Sequence, residues 1–95
     1  MIITFRVGGD FLFVKVDDSR DLSVRSRMTN GEYVSFVDLV RRSKQDVRDA
    51  ELVNRVLHCA HCLPSWGDVE FYVKDAFLSN LEYRRAGIQY VGTES

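Results

Sequence analysis

Residues 2–7 (IITFRV) and 11–16 (FLFVKV) are rich in β-branched and aromatic residues, and Gly8-Gly9-Asp10 lies between them. Two such runs around a glycine-bearing turn predict a β-hairpin. A polar connection, residues 17–21 (DDSRD), follows, with Asp17-Asp18 read as a solvated turn. Residues 22–28 then alternate, with Leu22, Val24, Ser26 and Met28 on one side and Ser23, Arg25 and Arg27 on the other. That period predicts a half-buried strand. Thr29-Asn30-Gly31 reads as a turn, after which residues 32–34 pair back briefly.

Beyond residue 34 the period changes from two to three-and-four. Ser35 with Asp38 has capping-box spacing, and Phe36, Leu39 and Val40 form a short apolar edge. Arg41, Arg42 and Lys44 crowd the end of that segment, where the helix dipole favours cations. Residues 46–63 (DVRDAELVNRVLHCAHCL) carry the clearest helical stripe: Leu52, Val53, Val56, Leu57, Ala60 and Leu63. Asp46 caps that helix and Pro64 stops it. Ser65 and Asp68 repeat the capping spacing. In residues 66–85, Val69, Tyr72, Val73, Ala76, Phe77 and Leu81 share one helical face. Residues 69–73 alone would also suit a strand, but the length of the run favours a helix closed by Gly87. Residues 88–91 (IQYV) return as a last strand and residues 92–95 form a frayed tail.

Strands first, helices next and one final strand make an α+β pattern. The expectation is a single domain, 1–95. It has an antiparallel sheet of three to five strands (N-terminal hairpin, third strand, short C-terminal strand) with about three helices on one face.

Composition narrows the function classes. A 95-residue chain that is 45% hydrophobic and 28% charged has the make-up of an ordinary globular domain. Its net charge of −1 argues against a general polyanion binder and against an acidic DNA mimic, while leaving room for a local basic face. Cys59 and Cys62 form no disulfide framework, and no secretory signal or membrane span is expected, so a reducing cytoplasm is the expected location. There is no GxGxxG, P-loop, GxSxG or HExxH, and no paired carboxylates stand in a recognisable setting. These absences argue against an enzyme, and no cofactor is expected.

Three surfaces could carry chemistry. His58, His61 and Cys62 fall on the helical side opposite the apolar stripe and suit zinc or copper. The chain holds no other Cys or His beyond Cys59, so a closed site would need carboxylates or a second subunit. The plainer reading is a helix end with histidines on its dipole. The second surface is the sheet. If Ile3, Val7, Leu12, Val14, Val16, Leu22 and Val24 face the helices, then Thr4, Arg6, Phe11, Phe13, Lys15, Ser23, Arg25 and Arg27 share the other face. Rings interleaved with bases are what single-stranded nucleic acid binding uses, although no RNP-type motif is present. The third is the last helix, where Phe71 and Leu78 fall opposite the main stripe, with Trp66 and Tyr83 near its ends. Excess apolar surface there favours a non-enzymatic protein-binding module that is also a homodimer. An adaptor fits, as does a stand-alone inhibitor of the kind small phage genes encode against host machinery. A single-stranded nucleic acid (RNA) binder is the alternative, and a metal-binding protein the third reading.

Overall fold

The computed structural model describes residues 1–36, 38 and 61–94. Among them are five strands: β1 (Ile2–Val7), β2 (Asp10–Val16), β3 (Leu22–Arg25), β4 (Val34–Ser35) and β5 (Gln89–Glu94). Two helices, α1 (Trp66–Ser79) and α2 (Leu81–Arg85), precede β5. The strands form one sheet in the order β4-β3-β2-β1-β5, antiparallel throughout. The fold is therefore α+β, as the patterning indicates, with two described helices where about three were expected. The predicted segment 39–60, including most of the central helix, lies outside the described residues. His61 and Cys62 are helical, and the helix ends before Pro64.

The β1–β2 hairpin pairs Val7 with Asp10 across Gly8-Gly9. Gly8 has φ +63° while Gly9 stays negative, the II′ arrangement that matches strand twist and needs glycine first. β3 is shorter than its alternating pattern, which ran to Met28; the Met28 side chain lies outside the description. The Ser26 N–H donates to Thr29 Oγ1 at 3.0 Å, and that hydroxyl donates to the Ser26 carbonyl at 3.0 Å. Such local bonds compete with the ladder, so the chain leaves the sheet as a 3-10 turn at Arg27–Thr29. Asn30 and Gly31 then take φ +55° and +78° and reverse the chain. It returns as β4, opposite Ser23 and Val24. Ser35, expected as a helix cap, is the last residue of β4, and Phe36 directly after it is helical.

Ser65 caps α1, its Oγ accepting the Asp68 N–H at 3.1 Å as the spacing predicted. Residues 66–85 are not one helix, however. Asn80 sits in extended backbone (φ −66°, ψ 129°), ending α1 and opening α2, and its Oδ1 accepts the Tyr83 N–H at 3.2 Å. After α2, Gly87 at φ +78° lets its N–H reach the Arg84 carbonyl while Ile88 N–H reaches Tyr83, a Schellman closure. β5 then runs past the predicted end at Val91. Gly92, Thr93 and Glu94 pair with Thr4, Ile3 and Ile2, so the expected tail is strand through Glu94. The register shifts between Thr4 and Phe5, leaving Val91 as the extra residue of a bulge.

One face of the sheet packs on α1. Ile3, Phe5, Leu12, Val14, Val16, Leu22 and Val24 meet Val69, Val73, Ala76, Phe77 and Phe36 in the core. Phe77 is its centre, with ring centroids 5.5 Å from Phe5, 5.4 Å from Phe36 and 5.5 Å from Tyr83. Val7, expected inside, is half-buried at the margin. Tyr72 and Leu81, expected in the stripe, are exposed.

Candidate nucleic-acid interface

The sheet face away from α1 assembles residues that are scattered in the sequence. Pairing runs in rows across the strands, and each row holds a ring, a cation or both. Arg6 stands opposite Phe11 and Gln89; Phe13 stands between Thr4 and Arg25; Lys15 stands between Ile2 and Ser23. Arg6, Phe11, Phe13, Lys15 and Arg25 therefore share one face. Arg27, just beyond β3, lines a groove together with Phe11, Phe13 and Arg25.

The side chains are already in contact. Phe11 stacks on Phe13 with centroids 6.2 Å apart and planes 28° apart. The Arg25 guanidinium lies 4.4 Å from the Phe13 centroid and 5.3 Å from that of Tyr33, and Lys15 Nζ lies 5.3 Å from Tyr33. Arg25 is thus held between two rings by cation–π attraction. Its Nε is buried without a hydrogen-bond partner. Tyr33 was missed in the sequence. The signal was there in its place two residues before Ser35, on the strand expected to pair back toward β3.

Charge on this face is predominantly positive, with Asp10 lining an adjoining pocket beside Phe11 and Arg27. Arg6, Lys15, Arg25 and Arg27 form no ion pair with a described residue, whereas Arg85 pairs with Glu82 elsewhere. Among the described strand residues, the carboxylate on this face is Glu94, at the β5 edge opposite Ile2. Net charge over the whole chain is −1, so the positive charge is local. Phe11 keeps 51% of its surface exposed, and Phe13 and Arg25 are half-buried.

The outer side of α1 is less coherent than its pattern suggested. Phe71 is 63% exposed and meets Tyr72 edge-on at 5.4 Å. Leu78, expected beside Phe71 on the outside, is half-buried against the core. Tyr83 likewise packs on Phe77. Trp66 is partly exposed but carries the Arg20 guanidinium 5.2 Å from its ring, and Arg20 also donates to the Leu63 carbonyl. Trp66 and Phe71 therefore do not join Leu78 in one outward patch.

For the metal candidates, His58 lies outside the described residues, as does Cys59. His61 Nε2 is 3.6 Å from Asp21 Oδ1, and Cys62 is exposed. No group of three potential metal ligands occurs among the described residues. No described helix is long and apolar enough to cross a membrane. Comparison with family models, curated proteins and solved structures finds no match to this chain.

Proposed function

We propose that the protein is a binding module whose open sheet face takes single-stranded nucleic acid. The observation that carries this reading is the grouping of Arg6, Lys15, Arg25 and Arg27 with Phe11, Phe13 and Tyr33 on one face, the cations having no ion-pair partner among the described residues. Unpaired cations attract phosphates, and exposed rings offer stacking platforms that tolerate any base. An open antiparallel face suits a single strand because its bases can lie flat on the sheet.

Fluorescence anisotropy with a labelled mixed-sequence RNA or DNA single strand tests it. For a single strand the log–log salt slope is about −0.7 per phosphate neutralised. Four cations then give a slope near −3, or roughly 50-fold weaker binding between about 50 and 200 mM salt. Arg25→Glu with Arg27→Glu abolishes binding while the circular dichroism spectrum is kept. Absence of binding by wild-type protein at micromolar concentration and low salt ends the reading.

A second reading, a protein-binding adaptor or inhibitor that also forms a homodimer, is supported by the exposed Phe71–Tyr72 pair on α1. Large aromatics are common interface anchors. With Leu78 turned inward, the patch is smaller than the sequence implied. Light scattering coupled to size exclusion tests it: a species at twice the 11.0 kDa chain mass, lost in Phe71→Glu, supports it, and a monomer at tens of micromolar removes it.

A further inference from the structure

The ladder between β2 and β3 stops at the Phe13–Arg25 pair. Phe11, two residues away on the same face, has no β3 partner, because the chain has left the sheet at Ser26 to make its 3-10 turn. The space this opens is a groove of about 290 Å³ lined by Phe11, Phe13, Arg25, Ser26, Arg27 and Gly31. Its lining combines two rings, Phe11 and Phe13, with two guanidinium groups, Arg25 and Arg27. We infer that this groove is an anchor subsite for a single nucleotide, with its base on the exposed Phe11 ring and its phosphate on Arg25 and Arg27.

The chemistry follows from the geometry. Phe13 is covered on one side by Arg25, and Arg25 also contacts Tyr33, so Phe11 is the ring of the face with most surface left for a base. Arg25 is held by two rings, so its orientation is set, and no carboxylate among the described residues pairs with it. Arg27 stands on a short turn pinned by the Ser26–Thr29 hydrogen bonds, which fixes the backbone from which it reaches the groove. A planar guanidinium makes paired N–H···O contacts with a phosphate, which a lysine does not. Gly31 borders the groove with φ +78°, and a Cβ there would meet nothing within 4 Å.

This inference rests on the nucleic-acid reading and narrows it to one place on the face. Its test is a titration of isotope-labelled full-length protein, followed by amide shifts, with uridine monophosphate, uridine, inorganic phosphate and a uridine octamer. The expected result is that the monophosphate, at up to about 10 mM, shifts the amides of Phe11, Phe13 and residues 25–31. Uridine alone or phosphate alone moves them far less, because each engages only the rings or only the guanidinium groups. Arg27→Ala weakens the monophosphate about 10-fold, and Arg27→Lys, which keeps charge but loses the fork, recovers part of that. Phe11→Ala removes the preference for monophosphate over inorganic phosphate. If the octamer binds but the monophosphate shifts amides elsewhere or none, the anchor is overturned while the nucleic-acid reading stands. If neither binds, the reading fails and the anchor falls with it.

Discussion

The same three strands, β1 to β3, present two faces that differ in what their aromatic rings chiefly meet. On the face packed against α1, rings meet rings: Phe77 contacts Phe5, Phe36 and Tyr83 at 5.4–5.5 Å. On the open face Phe11 stacks on Phe13, but the remaining ring contacts are with cations: Arg25 on Phe13 and Tyr33, Lys15 on Tyr33. The first arrangement excludes water and returns the free energy of apolar burial. The second leaves charge near solvent and contributes less to folding. A face that does little for stability, with cations that have no ion-pair partner among the described residues, is one on which binding would carry little cost to the fold.

That contrast is open to measurement. The largest effect is expected at Phe77→Ala, which empties the centre of the core and costs about 3–5 kcal/mol. Thermal or urea unfolding reads it, and a loss under about 1 kcal/mol would mean that the core is centred elsewhere. Next comes a pair of sequence neighbours on opposite faces. Val14 is fully buried and Phe13 half-buried. Val14→Ala is expected to cost about 1.5–3 kcal/mol and Phe13→Ala only about 1 kcal/mol, despite the larger side chain removed. If Phe13→Ala proves the costlier, the open face is covered rather than free. Lys15→Gln is expected to leave the melting temperature unchanged and make the salt slope of single-strand binding shallower by about 0.7. An unchanged slope would place Lys15 outside the footprint. A small effect is also expected at Phe71→Glu, within about 0.5 kcal/mol of wild type, since its ring is mostly exposed. A large loss of stability there would show that the outer side of α1 is packed within the domain.

Much of this was legible in the chain. The two faces of β1, β2 and β3 were assigned correctly at nearly every position, because side chains in a strand alternate by backbone geometry alone. Every cation and ring named for the open face is found there or lining its groove. The Ser65 cap was readable for a similar reason: its hydrogen bond closes within three residues. Errors clustered where a local pattern admits more than one outcome. Asn80, a good N-cap residue, breaks the run that its apolar spacing suggested was continuous. The alternation of β3 continued on paper to Met28, but hydrogen bonds between Ser26 and Thr29 end the strand earlier.

What the sequence determined by itself was therefore the set of periodic elements, their caps and the faces of the strands, since each depends on geometry within a few residues. Only the tertiary structure decided the edges of those faces. Leu78 lies on the side of α1 opposite its main stripe, yet is half-buried against the core, while Tyr72 and Leu81 on the stripe stay exposed. A helical wheel gives the direction of a side chain but not what stands across from it; that is set by how the helix lies on the sheet and by the elements that follow it. Tyr33 joined the cationic face for the same kind of reason. Its contacts with Lys15 and Arg25 exist only once β4 has paired with β3, which brings together residues far apart along the chain.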